Sequence, residues 1–174
     1  SGRSLLDTIP FAIAVLKVLI GCTEIRPMTL YFEDLAVDDE WTSGEYEVTE
    51  AEIREFAKQY DPQWFHTDPD RAAAESPYGG LIASGWHTAA MSMRLLVDCL
   101  LGDAATIAAR GVDELRWRRP VQPGDRLSVR AAVEDREVDD ENRGTVRLRI
   151  ETTNENDEVV FSMIGIVLFA RRQE

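Results

Sequence analysis

The sequence predicts an α+β domain in which an antiparallel sheet curls around one long helix. The stretch Gly85–Leu101 is apolar nearly all round, which is typical of a helix wrapped by other structure. Further along the chain, apolar and polar residues alternate, with turn signals at Pro123–Asp125 and Asn154–Asp157. The segment Val159–Ala170 is almost continuously apolar, as a central strand covered on both faces would be.

About four antiparallel strands are expected after the long helix. The alternation of apolar residues places them around Leu115–Trp117, Leu127–Val133, Val146–Ile150 and Val159–Ala170. A sheet of this size leaves an exposed edge, and pairing two copies would protect it. A homodimer or a dimer of dimers is therefore expected.

Two shorter helices are predicted ahead of the long one. Thr49 and Glu52 have the spacing of a capping box, and Pro62 ends the helix that follows, which leaves Asp61 at its exit. The apolar residues of this helix recur at helical spacing: Ile53, Phe56, Ala57 and Tyr60. A second helix is predicted from an N-cap at Asp68 to about residue 75.

Within the long helix, Trp86, Met91 and Met93 are expected to belong to the core rather than to a binding stripe. His87 follows Gly85 by two residues. We expect it to be a packed histidine with a backbone hydrogen-bond partner rather than a pocket residue.

Residues 28–174 are expected to form one domain, because no linker or 20–50-residue repeat divides them. Residues 1–27 are expected to be an N-terminal extension. It begins Ser1-Gly2-Arg3, which is not a natural start, and its apolar run Phe11–Ile20 is too short to span a bilayer. The extension is either a leader or an added segment, or an amphipathic helix packed on the domain.

Charge and composition exclude several classes of protein. The net charge is −13, from 32 acidic and 19 basic residues, so nucleic acids and anionic membranes would be repelled. With two cysteines, two histidines and no clustered ligands, we expect no metal. Unpaired thiols indicate a reducing compartment, here the cytoplasm.

Two groups with chemical potential lie close together in the sequence. Asp61 and His66 form a possible acid–base pair, five residues apart, on a segment that Pro62 keeps from being a regular helix. A glycine-rich run then brings Ser84 and Gly85 to the start of the long helix, where backbone N–H groups are unpaired.

Three segments resemble a known family, the MaoC-like dehydratases or (R)-specific enoyl-CoA hydratases, which have the hotdog fold. Asp61–His66 is similar to the Asp-x4-His signature of the family. Pro77–Gly85 resembles its loop and central-helix start, and Val112–Asp125 resembles the strand and turn that follow. The resemblance covers residues 29–171 and implies an antiparallel sheet wrapped around a long central helix.

The resemblance also implies a reaction, the reversible addition of water to trans-2-enoyl-CoA to give (R)-3-hydroxyacyl-CoA. Asp61 and His66 would be the catalytic residues, and the Gly85 N–H would hold the thioester oxygen. No metal or redox cofactor is implied, and coenzyme A enters as part of the acyl-CoA substrate. Hydration of an enoyl thioester needs an acid, a base and a donor to the enolate oxygen, and these residues supply all three.

Tyr78, Ser84, Arg118 and Arg119 are the candidate substrate-binding residues. Coenzyme A carries phosphates, so an acidic protein needs a local basic patch to bind it. Arg118 and Arg119 precede the Pro120 turn and are the best candidates. Most other arginines are expected to solvate an outer sheet face, and Tyr78 either touches substrate or covers the helix end.

The sequence departs from the family pattern near the catalytic pair. Trp64 and Phe65 stand where the family more often has proline and an aliphatic residue, so the acyl pocket is expected to be reshaped. Met93 stands where some members have a serine near the substrate. Two alternatives remain: a hotdog acyl-CoA thioesterase, in which a carboxylate activates water at the carbonyl, and a non-catalytic acyl-thioester-binding protein.

Overall fold

Residues 29–173 are described by a computed structural model, and the expected extension at residues 1–27 lies outside them. The helices are α1 (Glu50–Tyr60), α2 (Trp64–Thr67), α3 (Pro69–Glu75) and α4 (Gly85–Cys99). The strands are β1 (Glu40–Thr42), β2 (Tyr46–Glu47), β3 (Thr106–Trp117), β4 (Arg126–Val138), β5 (Arg143–Thr153) and β6 (Val159–Ala170). Two single 3₁₀ turns occupy Phe32–Asp34 and Leu101–Asp103.

The strands form one antiparallel sheet in the order β1-β4-β5-β6-β3, with β2 also paired to β4. Strand β5 alternates buried and half-buried residues along its whole length, and β6 is buried at most positions, as the sequence predicts. Strand β3 lies at one edge of the sheet, and β1 and β2 lie at the other. The predicted α+β class is confirmed, with the sheet packed around α4.

Helix α4 is attached to the sheet by apolar packing and by one buried polar contact. Its residues Met91, Leu95 and Leu96 belong to the same core cluster as the inward-facing residues of β4 and β5. The hydroxyls of Ser92 and Thr152 lie 2.7 Å apart, and both side chains are fully buried. A buried hydroxyl pair satisfies both groups and fixes the rotation of the helix on the sheet.

Helices α1 and α3 start where the sequence predicts. The Thr49 hydroxyl accepts the Glu52 N–H at 3.3 Å, and Asp68 accepts the Arg71 N–H at 3.0 Å. The predicted capping box is only half formed. The Glu52 carboxylate accepts hydrogen bonds from the hydroxyls of Thr49 and Tyr46, both at 2.8 Å, and not from the Thr49 N–H.

The expectation that α4 is covered on all sides is wrong for one face. Met91 is buried as predicted, but Trp86, Met93 and Val97 are 60%, 42% and 40% exposed. These three residues and the exposed Ala90 form one line along the helix, which we call the α4 stripe. The apolar side chains on this face make its contact with water unfavourable. The sheet of the same chain, however, covers only the opposite face of the helix.

Strand β3 is longer than the sequence indicates. It begins at Thr106, well before the alternation that starts at Leu115, and every residue except Leu115 is exposed. An edge strand with both faces largely open needs no regular apolar alternation, so the sequence of its first half does not indicate a strand. Four strands follow α4, as the sequence predicts, and the short strands β1 and β2 precede it, so the sheet has six strands within residues 29–173.

In the part of the chain that the structure describes, no helix has the length and apolar character needed to cross a membrane. Cys99 is a free, partly buried thiol at the end of α4, and burial raises its pKa. A thiol with a raised pKa is a poor nucleophile, so we assign it no chemical role. The cytoplasmic location remains a prediction.

Candidate active site

Asp61 caps the C-terminus of α1, and two donors hold its carboxylate. The Ser84 hydroxyl donates to Oδ2 at 2.7 Å, and the Gln63 side-chain amide donates to Oδ1 at 2.7 Å. The hydrogen bond from Ser84 is the largest cause of a lowered Asp61 pKa, Gln63 adds to it, a protonated His66 would add further, and burial opposes these effects. Asp61 is therefore an ionised carboxylate at neutral pH.

His66 lies on the single-turn helix α2 and is 4% exposed. Its Nδ1 is 2.7 Å from the carbonyl oxygen of Ile82. A carbonyl oxygen can only accept, so Nδ1 carries the proton and donates it. In the neutral ring, Nε2 is then left with a lone pair, and it lies 3.4 Å from Asp61 Oδ2. That separation is longer than a good hydrogen bond, so the two atoms are close neighbours without a direct hydrogen bond.

Gly85 is the first residue of α4, directly after the N-cap Ser84. Among residues 29–173, its backbone N–H has no hydrogen-bond acceptor. The indole N–H of Trp117 donates to the Gly85 carbonyl at 2.7 Å, and the Trp117 ring lies against the glycine. A Cβ on Gly85 would be only 2.6 Å from that ring, so this close approach requires glycine.

His66 and Gly85 open onto the same cavity, which has a volume of about 390 Å³. The lining residues are His66, Tyr78, Ile82, Ala83, Gly85, Thr88, Trp117, Arg118, Arg119, Pro120 and Val121. Asp61 is not on the cavity wall, but its side chain is 21% exposed and its Oδ2 lies 3.4 Å from Nε2 of the lining residue His66. His66 and the helix N-terminus thus face one space, with Asp61 directly beside His66.

Of the candidate substrate-binding residues, Tyr78, Arg118 and Arg119 line the cavity and Ser84 does not. The Ser84 side chain is fully buried, and its hydroxyl donates a hydrogen bond to Asp61. Arg119 lies 3.2 Å from Glu158, whereas the Arg118 Nε donates to the neutral hydroxyl of Ser162 at 3.2 Å. Within the described residues Arg118 has no carboxylate partner, so its positive charge is available to an anion at the cavity.

A second hollow of about 380 Å³ lies on the outer side of α1. It is lined by Ala51, Arg54, Glu55, Lys58 and Gln59. Apart from Ala51 these are long side chains at the surface, and they include no acid–base pair like that of Asp61 and His66, so this hollow has no evident chemistry. Residues 29–173 also contain no cluster of three His, Cys, Asp or Glu residues suited to a metal.

His87 is packed as predicted, but its predicted backbone partner is not found. Its ring stacks on Phe56 with centroids 4.8 Å apart, and Nε2 lies 3.8 Å from the Glu52 carboxylate. Nδ1 has no partner within the described residues. Burial lowers the His87 pKa despite Glu52, which keeps the ring neutral at neutral pH. His87 does not line the cavity.

Three contributors to the site are not evident from the sequence. The Ile82 carbonyl fixes the His66 tautomer, and a backbone group has no sequence signature. Gln63 belongs to the Asp61–His66 segment but had no assigned role. Trp117 falls in the strand segment that carries the family resemblance, yet only the fold brings its indole to Gly85, 32 residues away in the chain. Phe65 packs against His66 and Trp64 packs against Phe65, and neither of them lines the cavity.

The chain belongs to the family described as the MaoC like domain, whose model matches residues 36–156. The fold and the site together define the class: a hotdog protein with an Asp/His pair beside the N-terminus of its central helix. Its architecture resembles that of a Mycobacterium tuberculosis protein described as having a double hotdog fold, at a TM-score of 0.72 and 18% identity. That likeness covers 86% of this chain and 47% of the other chain, and it bears on the fold alone.

Two relatives are more similar in sequence. A MaoC-like dehydratase from Rhodospirillum rubrum is 41% identical with a TM-score of 0.77, covering 83% of this chain and 99% of that one. The 3-hydroxyacyl-thioester dehydratase Z of Mycobacterium tuberculosis is 37% identical over 110 residues, which are 62% of this chain and 71% of the relative.

Gly85→Ala is expected to lower the free energy of unfolding by about 1–3 kcal/mol, because the added methyl overlaps the Trp117 ring. In a Trp117→Ala background the same change should cost clearly less, since the overlapping ring is gone. Gly80→Ala is the matched control: nothing lies within 4 Å of its added Cβ. Urea unfolding of the variants measures all three effects. An equal cost of Gly85→Ala in both backgrounds contradicts the contact.

Proposed function

We propose that this protein catalyses the reversible addition of water to trans-2-enoyl thioesters, giving (R)-3-hydroxyacyl thioesters. The observation that carries this proposal is the placement of His66 Nε2 and Asp61 Oδ2, 3.4 Å apart, beside the cavity onto which Gly85 opens. The Mycobacterium tuberculosis relative is named as a 3-hydroxyacyl-thioester dehydratase, which supports this reaction class. Hydration and dehydration are the two directions of one equilibrium.

The chemistry follows from the atoms that face the cavity. A water molecule that donates one hydrogen bond to Nε2 and one to Oδ2 gives a proton to the pair while its oxygen bonds to the β-carbon of the substrate. The double-bond electrons move toward the thioester oxygen, and the Gly85 N–H stabilises the resulting enolate. The pair then returns a proton to the α-carbon as the enolate collapses. The net change adds OH to the β-carbon and H to the α-carbon.

Gly85 contributes more than an unpaired N–H. The first turn of a helix carries partial positive charge, which favours an oxyanion at this position. The absence of a Cβ lets the thioester approach the backbone closely. Trp117 holds the Gly85 carbonyl by a hydrogen bond, so the amide donor is in place before the substrate arrives. A donor that needs no rearrangement stabilises developing charge most effectively.

Coenzyme A is the proposed carrier of the acyl group, and Arg118 is its proposed phosphate contact. Arg118 lines the cavity, and its nearest polar side-chain partner is a neutral hydroxyl. Arg119 lines the same cavity, but its charge is partly satisfied by Glu158. Arg118 should therefore contribute more to binding of the carrier than Arg119 does.

The active form is proposed to be a homodimer that pairs β3 edges. Strand β3 is exposed along its length and ends at Trp117 beside the cavity. The α4 stripe adds an apolar surface, and its Trp86 contacts Trp117 with ring centroids 5.2 Å apart. Continuity between an open sheet edge and an apolar helix face favours a second copy as the occupant. The partner would then close the cavity near Trp117.

Asp61→Asn should reduce the hydration rate by about 10²–10⁴-fold, because the amide cannot exchange protons as the carboxylate does. The loss of enoyl absorbance from crotonyl-CoA and from longer enoyl-CoAs measures the rate. Asp70→Asn is the control, since Asp70 is an exposed carboxylate on α3 away from the cavity. Full activity in Asp61→Asn refutes the assigned role.

The same assay of the unsubstituted protein distinguishes the two alternative functions. Release of free thiol in place of hydration would identify a thioesterase. Binding of the thioester without turnover would identify an acyl-thioester-binding protein.

Arg118→Ala should raise KM for the CoA thioester about three- to tenfold, with a smaller effect from Arg119→Ala. Arg126→Ala removes the same charge from an exposed position at the start of β4 that does not line the cavity, and it should leave KM unchanged. An N-acetylcysteamine thioester lacks the phosphates of coenzyme A. The effect of Arg118→Ala should vanish with that substrate, and an equal effect on both substrates rules out a phosphate contact.

Met93→Asp should convert the dimer into a monomer, because it puts a charge into the apolar α4 stripe. Val37→Asp is the control: Val37 is 49% exposed and precedes β1, at the edge of the sheet opposite β3. Light scattering coupled to gel filtration measures the mass of each variant. A monomeric unsubstituted protein, or a Met93→Asp variant that remains dimeric, contradicts this arrangement.

A further inference from the structure

Ser84 occupies an unusual position between the catalytic pair and the central helix. It is the N-cap residue of α4 and is completely buried. An ionised carboxylate can only accept hydrogen bonds, so the 2.7 Å contact means that Ser84 donates its hydroxyl proton to Asp61 Oδ2. The Ser84 hydroxyl oxygen in turn accepts the Trp86 N–H at 3.3 Å. The single hydroxyl proton is therefore committed to Asp61.

The contact ties together two distant parts of the chain. Asp61 lies at the exit of α1, 23 residues before Ser84, and the residue after Ser84 is the proposed oxyanion donor Gly85. The Ser84 carbonyl accepts the Thr88 N–H at 2.9 Å, so Ser84 is also part of the first hydrogen-bonded turn of α4. One residue thus contacts the carboxylate with its side chain and carries the oxyanion donor on its own peptide bond.

The hydroxyl also orients the carboxylate within its plane. Oδ2 is the oxygen that accepts the hydrogen bond from Ser84, and the same Oδ2 lies 3.4 Å from His66 Nε2. Gln63 holds the other oxygen, so the carboxylate cannot rotate without breaking one of two 2.7 Å hydrogen bonds. Hydrogen bonds to the charged form are the strong ones, and they favour the ionised state.

We propose that Ser84 is a positioning residue, whose hydroxyl locks the Asp61 carboxylate to the first turn of α4 so that the acid–base pair and the Gly85 amide are held as one unit. This inference rests on the proposed hydration of enoyl thioesters. It gives Ser84 a role in place of the substrate contact that the sequence suggested. Ser84 touches Asp61 and does not need to touch the substrate.

A purely structural role as a helix cap predicts a different outcome. Loss of a cap lowers the stability of the fold and leaves the protonation of Asp61 alone. Thr49 offers a matched comparison, because it caps α1 through an N–H contact of the same 3.3 Å length and lies outside the cavity. Thr49→Ala should lower stability without changing the pH dependence of the rate.

The first test compares Ser84→Ala with the unsubstituted protein over a range of pH. We expect kcat to fall about 10- to 100-fold with a smaller change in KM, the size expected for a hydrogen bond to a charged group. Without the Ser84 donor the ionised form of Asp61 is less favoured, so its pKa rises and the acidic limb of the rate profile moves to higher pH. Ser84→Thr keeps the hydroxyl and should retain the original limb.

The second test measures Asp61 directly, by the carbon-13 shift of its carboxyl group during a pH titration. Its signal is assigned by its absence in Asp61→Asn. An upward move of the Asp61 titration in Ser84→Ala supports the proposal, and an unchanged titration together with an unchanged rate profile overturns it. If Ser84→Ala does not fold, Ser84→Cys takes its place, because a thiol is similar in size to the hydroxyl but is a weak hydrogen-bond donor. A raised or an unchanged Asp61 titration in Ser84→Cys then has the same meaning.

The two tests separate this inference from the proposed function. If the unsubstituted protein hydrates no enoyl thioester, the proposed function fails. The carboxyl titration still decides the role of Ser84, because it needs no turnover. A shifted titration then supports the Ser84 lock on Asp61, and an unshifted one refutes it.

Discussion

The first turn of α4 is the constraint on which the site depends. Three parts of the chain meet there: the exit of α1 through the Asp61–Ser84 hydrogen bond, the end of β3 through Trp117, and the helix itself through Gly85. Each contact restricts the movement of the backbone around Gly85, whose N–H is unpaired within the described residues. Catalysis by proton transfer and charge stabilisation requires groups held within fractions of an ångström. The packing of α4 on the sheet, fixed by Ser92 and Thr152, supplies the rigid base for that precision.

The charge distribution would allow the anionic carrier that we propose to bind, despite the acidity of the protein. The net charge of −13 opposes approach of a phosphorylated carrier at long range. Most arginines of the sheet are paired with carboxylates, as in the pairs Arg130–Glu40, Arg147–Asp113 and Arg149–Glu134. Such pairs neutralise the arginine charges on the outer surface and leave little positive charge there to attract an anion. At the cavity the arrangement differs, because Arg118 faces a neutral hydroxyl. Arg118 would therefore bind the phosphate of the proposed carrier within an otherwise acidic surface.

The exposed face of α4 and the open β3 edge share one physical origin. A single sheet can cover only one side of a helix, and a single sheet must end somewhere. In one copy of the chain, both features leave apolar groups or backbone hydrogen-bonding groups to water, and both lie beside Trp117. A second copy would remove both costs at once. The cavity lies at the same place, so the proposed assembly would involve the active site directly.

The sequence by itself determined the α+β class, the helix starts at Thr49, Asp68 and Ser84, and the placement of Asp61 at a helix exit. These depend on local patterns: side-chain periodicity, capping residues and prolines act over a few positions. Only the tertiary structure decided which nitrogen of His66 faces Asp61, because a backbone carbonyl sixteen residues away fixes the tautomer. It also decided that Ser84 holds the carboxylate and that Trp117 covers Gly85. Contacts between distant residues depend on how the elements pack, and no local pattern encodes the direction in which a side chain points after packing.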